Sequence, residues 1–267
     1  MALALNSPLT ALPGVGPARA AQLEKLGLHA VGDLLTYYPR SYEDRRQVYP
    51  VSAAPAGQKV CVRAMVAERP RLSRIRKGLE LVKARAVDGS AALFLTFFNQ
   101  CYVEKALKMG EEYVFYGALE VQNGRRSMVN PVFEPAGRQD VTGRIMPVYP
   151  LTAGVSNYRM AGWAAAALPL AEGLPDSLPP AIRREYGLSA AEFAVKTIHR
   201  PDSFEALELA RRRLTFEELF YLSVGLTFLK RRRSGGAGGI VIPKTEGEGF
   251  FSLLPFSPTA AQRRVME

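Results

Sequence analysis

The sequence predicts an α+β chain in which a small five-stranded β-barrel is flanked by helical segments on both sides. Three observations predict it. Between residues 59 and 134, five runs read as strands, the first and third with apolar residues at the period of two that turns one strand face inward. A short helical stretch separates the third run from the fourth. Outside that interval, apolar residues recur at helical spacing. Three strands, a helix and two more strands is the order of an OB-fold, a Greek-key barrel often used to hold single-stranded nucleic acid.

Residues 1–50 read as a helical segment. Leu12-Pro13-Gly14-Val15-Gly16-Pro17 is a tight turn, and Pro17 suits the first position of a helix. Ala18, Ala21, Leu23 and Leu26 supply its apolar stripe, and Gly27 stops it. Val31, Leu34 and Leu35 begin a second short helix. The turn through Gly14 and Gly16 resembles the helix-hairpin-helix motif, where backbone N–H groups hold a DNA phosphate. A glycine-rich helix entry without a ligand fits the same residues equally well. Residues 37–46 form a polar, aromatic connector, and Pro50 and Pro55 mark the entrance to the barrel, residues 51–143.

In the first barrel strand, Val60, Val62, Ala64 and Val66 share one face; Lys59, Cys61, Arg63 and Met65 share the other. A basic turn follows, crowded with Arg69, Arg71, Arg74, Arg76 and Lys77. Residues 79–87 are the second strand, and Asp88-Gly89 is a hairpin turn. The third strand, 91–97, puts Leu93, Leu95 and Phe97 on one face. Residues 101–109 form a helix of about two turns, ended by Gly110. The fourth strand spans 113–119, Asn123-Gly124 is another hairpin turn, and a fifth strand over 126–134 tolerates Pro131 near its end or at an edge.

Residues 144–233 read as a helical connector. Residues 160–170 are alanine-rich, 174–180 are a proline-rich break, and 201–213 form a helix. Thr215 and Glu218 have the spacing of a capping box that would start another, carrying Phe216, Leu219, Phe220, Leu226 and Leu229 as core. Residues 231–239, RRRSGGAGG, look like a flexible basic linker.

Composition narrows the function. Lys and Arg number 35 against 25 Asp and Glu in 267 residues, a formal charge of +10 that favours a polyanionic partner such as nucleic acid. The two cysteines, Cys61 and Cys101, lie in different elements, and no C-x-x-C or Cys/His cluster suggests a disulfide framework or a metal site. His29 and His199 read as surface or structural residues. The start has no basic n-region, and no apolar run approaches the ~20 residues of a membrane span. The expectation is a soluble, cytoplasmic, monomeric protein. No catalytic residue is assigned. G-G-I-V-I-P-K-T over 238–245 imitates a phosphate loop, but Pro243 takes the place of the second glycine and removes both an N–H and backbone freedom.

Binding chemistry is where the residues point. Phe98 and Tyr102 stand four apart at a strand end and a helix start, where a barrel rim can offer stacking platforms; either ring could instead pack beneath the barrel. The cations from Arg69 to Lys77 would neutralise phosphates beside such a platform and make binding salt-dependent, or merely form a solvated hairpin tip.

Four stretches, LPGVGPARAAQLEKLGLHAVGDLLTYYPRSYEDRR, FFNQCY, ARRRLTFEELF and LLPFSPTAAQRRVME, resemble successive landmarks of the RecG family of bacterial ATP-dependent DNA helicases, in the family's order. The resemblance covers almost the whole chain. It implies a superfamily 2 motor acting in recombination and repair on stalled forks and Holliday junctions, whose OB wedge splits parental from nascent strands. It implies that Phe98 and Tyr102 stack on bases at the fork. It also implies that Phe256 and Gln262 belong to a Q-motif-like segment whose glutamine reads adenine. The family's ATP- and Mg2+-binding motifs would lie further on, so residues 234–267 read as a linker and the start of a truncated motor. This chain alone then has no cofactor and no turnover, with branched and single-stranded DNA as partners. Two other readings stand beside this one: a sequence-tolerant single-strand OB module, and a protein-interaction domain for an acidic partner.

Overall fold

The computed structural model describes residues 3–138, 140–234 and 253–266. The chain divides into two compact units, Met1–Glu217 and Glu218–Glu267. The first is a mixed α+β unit. The imitation phosphate loop and most of the glycine-rich linker lie outside the described residues.

The strands are β1 (Ser41–Asp44), β2 (Val48–Tyr49), β3 (Lys59–Val66), β4 (Arg71–Arg76), β5 (Leu79–Val87), β6 (Ala92–Phe98), β7 (Glu112–Gln122), β8 (Arg125–Val129), β9 (Val132–Pro135) and β10 (Ile145–Val148). Strands β2 to β9 make one sheet. Its pairings run from β3 to β5, β6, β8 and β7, and β7 returns to β3 over the register Lys59↔Ala118 to Met65↔Glu112. Alternation does what the sequence predicts: Val62, Val66, Leu93, Leu95 and Phe97 are buried in one cluster with Phe115 and Met128.

Several expectations need correction. The basic stretch after β3 is largely a strand, not a loop: β4 pairs antiparallel with β5 from Arg71↔Lys83 to Arg76↔Leu79, with a bulge between Arg74 and Arg76. Its turn is only Lys77-Gly78, with Gly78 at φ +82. The residues carry no alternating burial, so only pairing with β5 reveals the strand. The predicted fifth strand is two, β8 and β9. Asn130 adopts φ +47, Pro131 follows, and the chain crosses from the end of β7 to its beginning. Gly117 of β7 allows this crossing: a Cβ there would lie 3.2 Å from the Pro131 Cβ.

The helix after β6 is one turn, α3 (Val103–Ala106), rather than two. The Tyr113 hydroxyl ends it by donating to the Ala106 carbonyl and accepting the Lys108 N–H, each at 3.1 Å. Nor is residue 144 the start of an all-helical region. β10 pairs with β1, which lies in the supposed connector, from Ser41↔Val148 to Asp44↔Ile145. Buried Arg45 locks this ribbon down. It donates to the Val141 carbonyl at 2.9 Å, contacts Glu43, and lies 3.9 Å over the Tyr116 ring of β7. The buried Glu134 carboxylate accepts the Asp140, Val141 and Thr142 N–H groups.

The helices are α1 (Pro17–Glu24), α2 (Asp33–Thr36), α4 (Asn157–Ala167), α5 (Pro180–Glu185), α6 (Ala191–His199) and α7 (Phe204–Ser234). Pro17 opens α1 as expected, and Gly27 at φ +79 follows its end. The N-terminal helices do not form a separate core: Leu23, Val31 and Leu34 pack with Tyr149, Met160, Trp163 and Val195. α7 is one continuous helix, so Thr215 and Glu218 do not start another; Ser203 caps it, accepting the Ala206 N–H at 3.1 Å. No breaker stands between Arg213 and Thr215, and capping spacing alone does not interrupt a helix. Among the described residues no helix is long and apolar enough to cross a membrane.

His199 is the structural residue expected of it. Its Nε2 donates to the Leu35 carbonyl at 3.0 Å, so Nδ1 is left to accept the Tyr149 hydroxyl at 2.8 Å. Burial pushes its pKa below the usual 6.5, partly offset by the Leu35 bond. The folded form therefore binds a proton less readily than the unfolded chain, and stability falls as pH drops below about 6.5 toward the folded value. Thermal melts of the chain are expected to show this slope, and His199→Gln is expected to flatten it. An unchanged slope in the variant would assign the effect elsewhere.

Candidate nucleic-acid interface

Phe98 is the last residue of β6 and Tyr102 the residue before α3. Neither packs beneath the sheet: Phe98 is 40% exposed and Tyr102 63%. Their neighbours explain it. Phe97, Val103 and Leu107 are fully buried, so the strand end and the helical turn are anchored from below while the residues between face out.

Two asparagines shape the turn that carries the rings. Asn99 adopts φ +53, a region Asn tolerates better than other non-glycine residues. Its N–H donates to the Glu80 carbonyl at 2.8 Å and its Oδ1 accepts the Glu80 N–H at 3.0 Å, extending the β5–β6 ladder by one rung. Asn130 accepts the Phe98 N–H at 2.7 Å and the Gln100 Nε2 at 3.3 Å, while its own N–H donates to Thr96 at 2.8 Å. Gln100 in turn accepts the Tyr102 hydroxyl at 3.1 Å. A polar chain thus runs from the β8–β9 break to the Tyr102 ring. Sequence reading missed Asn99, Gln100 and Asn130. The Asn130-Pro131 pair was a turn signal, but its contact with Phe98 spans 32 positions.

Tyr102 also lines a groove of about 840 Å³ with Asn130, Pro131, Arg138, Tyr158 and Arg159 among its walls. Arg74, Arg76 and Lys77 meet Glu80 and Asn99 around a second hollow of about 540 Å³. That hollow brings three of the five predicted cations beside the Asn99 turn. Arg74 is paired with Glu80 at 3.1 Å but 79% exposed, so the pair contributes little in water. Arg69 and Arg71 line a different hollow, on the outer face of β4 to β6.

The other candidates lie apart. Gly14 and Gly16 are exposed at the entry to α1, with Gly14 at φ +74 and its carbonyl accepting Arg19 Nη1. The neighbouring Pro13 carbonyl accepts Trp163 Nε1 at 3.3 Å, so the turn is fastened to α4. In the second unit, Gln262 belongs to the first turn of α8 (Ala260–Met266). Its Oε1 accepts the Thr259 N–H at 2.9 Å, and its own N–H donates to Thr259 Oγ1 at 3.3 Å. This is a capping box. The Nε2 amide takes no part in it, and Phe256 is 59% exposed nearby in sequence. No cluster of potential metal ligands occurs among the described residues.

A family model described as the RecG wedge domain matches residues 9–167. The ATP-dependent DNA helicase RecG of Thermotoga maritima is 33% identical over 269 residues, covering 98% of this chain and 34% of the relative. The protein of the same name from Escherichia coli is 30% identical over 275 residues, covering 97% of this chain and 39% of the relative. A solved structure of RecG bound to a three-way DNA junction is 31% identical and superposes with a TM-score of 0.76, over 99% of this chain and 37% of that one. The chain therefore spans between about a third and two fifths of the length of these relatives.

Proposed function

Because the chain belongs to the RecG wedge-domain family, we propose that it is the DNA-branch-holding part of an ATP-dependent helicase for stalled forks and Holliday junctions. The observation that carries this reading is the exposure of Phe98 and Tyr102 on a turn held rigid by Asn99 and Asn130. We read the strand circuit β3-β5-β6-β8-β7 as an OB barrel, with residues 51–143 as the wedge, 1–50 and 144–233 as its helical support, and 234–267 as the approach to a motor.

At a branch point, the two bases that have just lost their partners stack on the two rings. Unstacking costs a few kcal/mol per step, and each base–aromatic stack returns about 1–3 kcal/mol. The wedge adds no chemistry of its own. It blocks the duplex sterically while the rest of the parent protein translocates, using ATP and Mg2+. In this chain Gln262 Nε2 and Phe256 would meet the adenine, and the chain alone hydrolyses no ATP. Arg74, Arg76 and Lys77 steady the phosphates beside Phe98, whereas Gly14 and Gly16 are a weaker phosphate site on the helical support.

The test compares equilibrium binding of the chain to a three-way fork and to a linear single strand of equal length. A wedge binds the fork at least tenfold more tightly. Equal affinities would leave only a sequence-tolerant single-strand module.

A further inference from the structure

We propose that Asn130 and Gln100 are positioning residues that fix the Tyr102 ring with its hydroxyl proton turned away from DNA, so that the ring meets a branch-point base by its face. This rests on the wedge reading and adds to it the groups that aim the platform.

The sense of each bond in the relay is forced by the one before it. The Phe98 N–H can only donate, so the Asn130 atom 2.7 Å from it is Oδ1. That oxygen cannot donate, so Gln100 turns Nε2 toward it at 3.3 Å and keeps Oε1 for its other side. Oε1 only accepts, so the Tyr102 hydroxyl, 3.1 Å away, gives it its proton. The head of the relay is itself fastened: the Asn130 N–H donates to the Thr96 carbonyl at 2.8 Å, and the residue sits at φ +47 in the β8–β9 break.

Phosphate oxygens accept and do not donate, so a hydroxyl whose proton is committed to Gln100 offers them nothing. A tyrosine free to turn would point its O–H at the nearest phosphate and present its edge to the bases. The hold also removes a cost. A ring that swings in the free protein loses that freedom on stacking, and one already held loses little. Phe98 has no polar handle, and Asn130 bonds its backbone instead. One side chain is thus the common anchor of both ring-bearing residues.

The relay is not what folds the turn. The Gln100 carbonyl accepts the Val103 N–H at 3.0 Å and the Tyr102 carbonyl accepts the Ala106 N–H at 3.1 Å, with Val103 and Leu107 buried beneath. The backbone is therefore placed without the Gln100 amide, whose bonds go to Asn130 and Tyr102.

The test is a double-mutant cycle on binding of the chain to a three-way fork carrying 2-aminopurine at the branch-point bases. Gln100→Met keeps the length of the side chain and removes both bonds; Tyr102→Phe keeps the π-face and removes the hydroxyl. Each is expected to weaken fork binding about fivefold. Each should also lessen the quenching of 2-aminopurine by stacking and leave the thermal melt nearly unchanged. The two together should weaken binding no further than either alone, because both cut the same link. Asn130→Gly, which tolerates the positive φ, should cost about tenfold, since it releases the Phe98 N–H as well. Affinity within twofold of the parent chain for both single variants, or additive losses in the pair, would overturn the proposal. Should Gln100→Met misfold, Tyr102→Phe, which removes one exposed oxygen, decides the matter by the same thresholds. Phe98→Ala with Tyr102→Ala separates the two claims. If that pair lowers fork binding while Gln100→Met and Tyr102→Phe do not, the relay alone is refuted. If the alanine pair binds as the parent chain does, the wedge reading fails and the relay with it.

Discussion

Replacing Phe98 and Tyr102 together by alanine is expected to lower affinity for a three-way fork about a hundredfold, with little loss of stability. Two base–aromatic stacks at about 1–3 kcal/mol each sum to several kcal/mol, and each 1.4 kcal/mol is tenfold. Both rings are exposed, so truncation opens no large cavity. The turn keeps its shape because Asn130 bonds the backbone of residue 98 and Asn99 bonds that of Glu80, neither through a ring. Fluorescence anisotropy with a labelled fork, paired with a thermal melt, reads both quantities. A variant that binds forks as the parent chain does would remove the stacking platform from the account and favour a partner met by charge alone.

The largest expected effect on stability comes from Arg213. Its side chain is fully buried, and it donates to Glu217 at 2.6 Å, to Asp176 at 2.8 Å and to the Ser189 carbonyl at 3.1 Å. It ties α7 to the segments before α5 and before α6. Asp176 also accepts the Leu178 and Ala191 N–H groups, and these bonds with Arg213 outweigh burial and hold its carboxyl below the usual range. Arg213→Met removes the cation, which leaves part-buried Glu217 without that pair and Asp176 with Arg183, at 2.9 Å, as its remaining ion pair. The expected cost is about 3 kcal/mol, the low end for breaking a buried pair, since both carboxylates keep some water. For a unit of this size that is roughly 6–12 °C in melting temperature. Neutralising the partners as well, with Asp176→Asn and Glu217→Gln, should recover part of the loss. A single variant that melts with the parent chain would show the network to be energetically idle.

How much of this was legible beforehand differs by element. The inward faces of β3 and β6 were readable because their apolar residues alternate with the period of two that a half-buried strand shows. The stop of α1 at Gly27 and its start at Pro17 were readable because both are local backbone rules. β4 was not, since only Leu72 of its six residues packs against the core and the rest are exposed. Its strand character comes from the hydrogen bonds of β5. The pairing of Ser41 with Val148 was equally hidden, because no local pattern says which distant segment will complete a two-stranded ribbon. Capping shows the same limit from both sides: Thr215 and Glu218 had the right spacing inside an unbroken helix, while Thr259 and Gln262 form the real box.

The candidate site divides along the same line. The order of amino acids by itself determined where the strands alternate, that the surplus charge is positive, and that two aromatics stand four apart at a strand end, since each is a property of neighbours along the chain. Only the tertiary structure decided that those rings face water and that Asn130 reaches across to hold them. Those outcomes depend on register and closure between strands far apart in sequence, and the free energy that selects a register belongs to the assembled sheet rather than to any one of its strands.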